Sequence, residues 1–233
     1  NTDRKENEAF LSFTRHFLSK KLSVPHVWET NLEQNIYLEE DLGDTTLFGY
    51  LSARGNFDEE IKQLYKQALK SLLDFQTKGV EGMDNAWCYP RASFDWQSIA
   101  WDLNYFKYYF LKLAAIPFDE QLLENDFHTL THFLMEMEPD YFLFRDFQSR
   151  NIILHQGKLY FIDYQGGRKG ALPYDVASLL YDAKAGIPPE TRAELLDYYL
   201  SLLEENSTGN PVAFQKHYPA FVLIRILQAM GSY

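Results

Sequence analysis

The sequence predicts an α+β fold, mainly helical, with its strands gathered in two places. Three observations carry this. Apolar residues recur at three- and four-residue intervals through most of the chain, the pattern of amphipathic helices. Between Tyr141 and Asp163 that spacing gives way to short runs rich in β-formers, YFLF, NIILH and KLYFID. With 233 residues, 46% apolar and 16% aromatic, the chain has enough apolar surface to fill a core.

In order along the chain, Ala9, Phe10, Phe13, Phe17 and Leu18 lie at helical spacing behind a Thr2/Asp3 cap signal, which predicts a first helix ending near Lys21. Pro25 stops it, and HVWET (26–30) and NIYLEE (35–40) read as a pair of strands. In LEEDLGDTTL, Gly43 breaks the second strand and Asp44 or Thr45 offers the cap of a new helix, so residues 39–44 read as a hinge. Ile61, Leu64, Tyr65, Ala68, Leu72, Leu73 and Phe75 form one helical face over 58–77, before a loop marked by Gly79, Gly82 and Pro90. Helices are predicted over 95–115 and 119–137, separated by Pro117, and after the β-rich stretch over 173–184, 189–205 and 212–230.

Charge and cysteine content narrow the class. A net charge of −11 repels polyphosphate backbones, so nucleic acid is not an expected partner; ATP is bound locally with its magnesium and stays open. The single cysteine, Cys88, cannot form an internal disulfide, which suits a reducing compartment. No apolar run approaches the roughly 20 residues of a membrane span, and NTDRKENEAF carries no secretory core. A soluble, cytoplasmic protein without membrane attachment is expected. Nothing in the sequence sets an oligomeric state.

The chemistry is concentrated in residues 146–163. If the chain reverses around Gln156, Gly157 and Lys158, Asn151 at the start of one strand lies opposite or diagonal to Asp163 at the end of the next, within roughly 5–8 Å. An amide and a carboxylate from facing strand ends suit a hard cation such as Mg2+, which keeps waters and shares phosphate oxygens. Asp146, five residues before Asn151, can present a second carboxylate beside the same cation. Phosphoryl transfer asks for this layout: a base near the acceptor hydroxyl and metal holders near the phosphates.

The Asp146-x-x-x-x-Asn151 spacing, followed by Ile162-Asp163 at the hairpin's end, resembles the catalytic and metal loops of the protein-kinase-like fold. Protein kinases open these loops with His-Arg-Asp and Asp-Phe-Gly; here they read Phe144-Arg145-Asp146 and Asp163-Tyr164-Gln165. GALPYDVASLL is similar to the Pro-x-x-Asp-hydrophobic segment of aminoglycoside and choline phosphotransferases. FRDFQSRN, IDYQGG, LPYDVASLLYD and LIRILQAMGSY together look most like the bacterial kinases of the anomeric hydroxyl of N-acetylmuramate and N-acetylglucosamine.

That resemblance implies a kinase-like α+β fold in which residues 1–41, a helix and a hairpin, are the remnant of an N-terminal lobe and residues 42–233 form a mainly helical catalytic lobe. It implies transfer of the γ-phosphoryl group of ATP to a hydroxyl of a small molecule, an amino sugar above all, with Asp146 as catalytic base and Asn151 and Asp163 holding Mg2+. The backbone of Glu40, Asp41 and Leu42 would contact adenine. Complete members begin with strands carrying a phosphate-covering loop and a lysine that pairs with a glutamate of the first helix, here Glu6 or Glu8. No such strands precede Asn1 and further helix is expected past Tyr233, so the chain reads as an internal portion of a longer protein.

Other residues near the site have a structural and a functional reading. Asp175, behind Pro173, suits a helix-start acceptor with a further bond that orients Arg145, and Arg145 suits a bidentate tie of the loop to its neighbours. Arg150 and Arg168 are close enough in sequence to touch an anionic substrate or the triphosphate. Asp102 is the polar candidate for a contact with the acceptor sugar. Trp87, Trp96, Trp101, Tyr105, Phe106, Tyr108 and Tyr109 are expected mainly in the helical core, and His128 and His132 on a helix face rather than on a metal. The competing function is a catalytically idle kinase-like module that binds a ligand or partner. Phe144, in place of the usual histidine, favours it; the full Asp146, Asn151 and Asp163 set opposes it.

Overall fold

The structure, a computed structural model, describes residues 3–232. Helix α1 (Arg4–Ser19) begins at Asp3, whose carboxylate accepts from the N–H groups of Lys5 and Glu6, and it buries Phe10, Phe13 and Phe17. Thr2, the other half of that cap signal, lies outside the described residues. Strands β1 (Val27–Asn31) and β2 (Ile36–Glu39) pair antiparallel, with Thr30 opposite Tyr37 and a register shift between Val27 and Glu29. Helix α2 (Leu47–Arg54) is capped by Thr46, later than Asp44 or Thr45, because the Thr46 hydroxyl accepts from Gly49 N–H. Helix α3 (Glu59–Lys78) starts at its Asp58 cap.

Helix α4 (Trp96–Phe106) ends sooner than its apolar spacing predicts and passes into one wide π turn over Lys107–Leu111. The Lys107 ammonium is buried there, paired with Glu120 and Glu124 at 2.6 Å each. Helix α5 is Glu120–Leu134. The β-rich stretch holds β3 (Tyr141–Leu143), β4 (Ile152–His155) and β5 (Lys158–Phe161), and a strand not foreseen, β6 (Arg168–Gly170), pairs antiparallel with β3. Charged residues and glycine hide β6 from a propensity reading. Gly167 and Gly170 allow its approach: a Cβ at either would lie 2.3 Å from the side chain of Phe142 or Leu143. Helices α6 (Pro173–Leu180), α7 (Pro189–Glu205) and α8 (Pro211–Met230) follow, and α8 packs on both α6 and α4.

An aromatic core joins the two β regions. Phe17 meets Phe75 at 5.1 Å and Phe142 at 5.1 Å; Phe75 meets Phe144 at 5.5 Å and Phe161 at 5.3 Å; Phe147 stacks on Phe161 at 5.4 Å. Helix α1 is thereby built into the same core as the β-rich stretch. Phe144 is 1% exposed, a packed ring where a histidine would need polar partners. Of the aromatics expected in the helical core, Phe106 is buried and Trp87 half-buried, while Trp96, Trp101, Tyr105, Tyr108 and Tyr109 are exposed. Trp96 lies edge-on to His128 and His132. Among the described residues, no helix is long and apolar enough to cross a membrane.

Candidate active site

The hairpin of β4 and β5 turns on two residues, Gln156 and Gly157, both at positive φ (49° and 75°), the setting that matches the twist of the flanking strands. Its register runs from His155 opposite Lys158 to Ile152 opposite Phe161, and the Ile162 N–H continues it to the Asn151 carbonyl at 3.1 Å. Asp163 is the next residue, at φ 67°, and its carboxylate comes back across the hairpin's open end. Asn151 Nδ2 donates to Asp163 Oδ2 and to the Asp146 carbonyl, 2.9 Å each. Gln165 Nε2 donates to the other carboxylate oxygen of Asp163 at 2.8 Å.

These bonds suit a cation. The Asn151 amide spends its N–H groups on Asp146 and Asp163, so its oxygen is the atom left to ligate beside the Asp163 carboxylate. Among the described residues no group of three or more His, Cys, Asp or Glu could form a metal cage. An amide oxygen with one carboxylate fits Mg2+, which takes its remaining ligands from water and phosphates.

Asn151 and Asp163 open onto a cleft of about 350 Å3 lined also by Glu6, Phe10, Tyr37, Glu39 and Gln165. Of the two glutamates of α1, Glu6 faces this cleft; Glu8 is exposed and pairs with Arg4 at 2.8 Å. The hinge is tied back to its neighbours. Glu40 N–H donates to the His26 carbonyl at 2.8 Å, Asp41 accepts from Gly43 N–H, and the Leu42 carbonyl accepts from His155 Nδ1 at 2.9 Å. Two of the backbone groups expected to meet adenine are therefore spent inside the protein.

Asp146 lies on the loop between β3 and β4, whose backbone is held against strain. Arg145 sits at φ 82°, costly for a residue with a Cβ. The Asp175 carboxylate accepts from Phe144 N–H at 2.6 Å and Arg145 N–H at 3.0 Å, and the Arg145 guanidinium makes a bidentate pair with Asp102 at 2.9 and 2.6 Å. Asp175 is fully buried; desolvation pushes its carboxyl up to about 7, against the pull of those two N–H groups and of Arg225.

Three expectations change here. Asp102, its side chain 6% exposed, spends both oxygens on Arg145, so it is the loop's counter-ion and not a contact for a sugar. Asp175 receives the loop's N–H groups rather than those of its own helix start, and it orients Arg145 through the backbone. Arg168 is buried, with Nε donating to the Gly166 carbonyl and Nη2 to the Tyr89 carbonyl, so these donors are engaged within the protein.

The Asp146 side chain, 39% exposed, faces a second cleft of about 290 Å3, bordered by Phe48, Arg150, Ser178, Asp182, Lys184 and Arg225. Asn151, which lines the first cleft, donates to the backbone carbonyl of Asp146, whose side chain faces the second. Arg150 is exposed at the rim. Sequence reading missed Gln165, which steadies Asp163, and Arg225 and Ser178, which line the Asp146 cleft. Arg225 lies within LIRILQAMGSY, a segment noted for its resemblance alone.

The chain is 26% identical over 205 residues to an N-acetylmuramate/N-acetylglucosamine kinase of Neisseria meningitidis, covering 86% of this chain and 58% of the relative. A kinase of the same description from Pseudomonas aeruginosa is 28% identical over 181 residues, 76% of this chain and 50% of the relative. The chain thus spans little more than half the length of these curated relatives. In fold it is similar to an amicoumacin kinase solved in complex with AMP-PNP, Ca2+ and Ami, with a TM-score of 0.69 at 16% identity, over 99% of this chain and 70% of that one. With its protein-kinase-like α+β architecture, and with the APH model matching residues 4–209, the chain belongs to the phosphotransferase enzyme family.

Proposed function

We propose that the protein carrying this chain moves the γ-phosphoryl group of ATP to a hydroxyl of an amino sugar, in a cytoplasmic setting. The observation that carries the reading is the placement of the Asn151 amide, which bonds the Asp163 carboxylate in one cleft and the backbone of Asp146, whose side chain faces the other. Mg2+ held by Asn151 and Asp163 would neutralise charge on the β- and γ-phosphates. Asp146 would accept or orient the hydroxyl proton from the facing cleft. Glu6 is the better lysine partner, since it borders the nucleotide cleft and Glu8 does not. The backbone of Glu40, Asp41 and Leu42 would meet adenine through the groups their internal bonds leave over. Residues 1–41 act as the lower part of an N-terminal lobe hinged at 39–44 to the remainder.

The charge of the Asp146 cleft supports an amino sugar over a polycationic acceptor. Arg150, Lys184 and Arg225 face Asp146 and Asp182, and Asp182 is already engaged by the Ser149 hydroxyl at 2.7 Å and Lys184 N–H at 3.1 Å. In a chain of net charge −11 this is a local positive balance. An ADP-coupled assay of the full-length protein over N-acetylated amino sugars, choline and aminoglycosides tests the reading. Turnover with an N-acetylated sugar is expected; turnover with a polycation alone would move the acceptor class, and none across the panel would leave an idle binding module.

A further inference from the structure

Arg225 is a buried cation whose one carboxylate partner among the described residues stands at the limit of ion-pair distance. Its side chain is 4% exposed on α8, held over the Tyr174 ring at 5.1 Å, with Nη1 donating to the Tyr174 hydroxyl at 3.1 Å and to Gln228 Oε1 at 2.7 Å. Both of those acceptors are neutral. Among the described residues the buried Nε has no hydrogen-bond partner, which costs free energy. Among the described residues, the one carboxylate within ion-pair reach is Asp146, at 4.0 Å from Nη2.

Arg145, next to Asp146 in the chain, behaves differently. Arg145 also stands over Tyr174, at 5.7 Å, yet its fork is filled by Asp102 in bidentate geometry. Arg145 is thus committed to holding the loop and cannot direct the Asp146 side chain. Arg225 can: a guanidinium with fixed position and unspent charge, facing a carboxylate that is free enough to turn. The gap of 4.0 Å leaves room for the Asp146 carboxylate to serve an acceptor hydroxyl rather than be consumed by a tight pair.

We infer that Arg225 is a positioning residue for phosphoryl transfer, a rigid buried charge that aims the Asp146 carboxylate at the acceptor hydroxyl. Tyr174 and Gln228 set the guanidinium, and α8, packed on α6, brings it to the loop. The inference rests on the kinase reading above and extends it to a residue in the last helix. It separates two jobs within the site: the Asp175 and Arg145 network fixes the loop backbone, and Arg225 fixes the direction of the side chain that the loop presents.

The test uses the full-length protein with the best acceptor of the panel. Arg225→Met and Arg225→Lys are compared with wild type for kcat, for acceptor and ATP KM, and for ADP affinity by calorimetry, with kcat counted per ADP-binding site so that unfolded molecules do not enter. Arg225→Met is expected to lower kcat about 100-fold, the cost of a misaimed group, with ADP affinity and ATP KM within about 2-fold of wild type. Arg225→Lys, which keeps the charge without the planar fork, should recover about 10-fold of that loss. A brace that serves only folding would lower the melting temperature and the number of ADP-binding sites while kcat per site stays at the wild-type value, and that result in both variants overturns the inference. If Arg225→Met yields no folded protein, Arg225→Lys decides alone, and wild-type kcat in it overturns the aiming role. Wild type without turnover on any acceptor overturns the kinase reading, and this inference with it.

Discussion

Asn151 Nδ2 lies 2.9 Å from a carboxylate oxygen of Asp163, at the open end of a hairpin whose two-residue turn sits four strand positions away. The pair is set by strand register, so a change of chemistry at either residue should leave the fold in place. Asp163→Asn keeps the shape and loses the charge. In the full-length protein, kcat/KM for ATP is expected to fall by about two to three orders of magnitude. Calorimetry with and without magnesium should show that the variant loses the metal-dependent part of ADP binding. An unchanged magnesium dependence would remove Asp163 from the metal site.

Asp146→Asn separates chemistry from stability. The side chain is partly exposed, and no hydrogen bond to it holds the loop, which hangs on Asp175 and Asp102 instead. Turnover should drop by about 10²–10⁴-fold, the usual worth of a general base, while unfolding free energy changes by no more than about 0.5 kcal/mol. Near-native kcat would show that another group takes the proton.

Asp175→Ala should act the other way. It strips the acceptor from two N–H groups, Phe144 and Arg145, each costing about 1–3 kcal/mol when left unpaired, so denaturant unfolding should register a loss of about 2–6 kcal/mol. Burial raises the Asp175 carboxyl from 3.8 to about 7, so the folded state holds a proton that the unfolded chain has already released between those values. The stabilising contribution of the protonated form is complete below pH 3.8 and is lost as pH rises through about 7. Measured against Asp175→Asn, which does not titrate, wild type should therefore lose stability between about pH 4 and pH 7 and level off above that. A difference independent of pH would mean that the carboxyl is ionised throughout.

The Asp102 and Arg145 pair gives a double-mutant test. Asp102→Leu leaves a buried guanidinium uncompensated and should cost about 3–5 kcal/mol. Adding Arg145→Met removes the stranded charge, and the double variant should be more stable than Asp102→Leu alone. Additive losses in urea unfolding would show that the two residues are not one unit.

Much of this was legible in the sequence where the signal is local. The Gln156-Gly157 turn, the approach of Asn151 to Asp163, and the Asp3 cap of α1 all follow from spacing and residue type over a few positions. What was missed is long-range or runs against propensity. The partner of Arg145 is 43 residues away on α4, and Arg225 reaches Asp146 from the final helix; periodicity tells which face is apolar, not which element that face meets. Strand β6 is Arg-Lys-Gly and forms because β3 offers it a partner, an override of propensity by tertiary pairing. The exposed aromatics of α4 show the converse: ring side chains at helical spacing do not oblige burial.

The hairpin register also says how this segment can change length. Because side chains alternate faces with a period of two, one residue added to β5 alone would turn Asp163 away from Asn151, whereas the same extension made in β4 and β5 together lengthens the ribbon and returns both residues to its open end. The twelve-residue separation of Asn151 and Asp163 is therefore not a quantity the chemistry demands. Parity is. Insertions confined to the Gln156-Gly157 turn should be tolerated at the tip, and a library of hairpin lengths would sort into active and inactive members by whether the two strands grew in step.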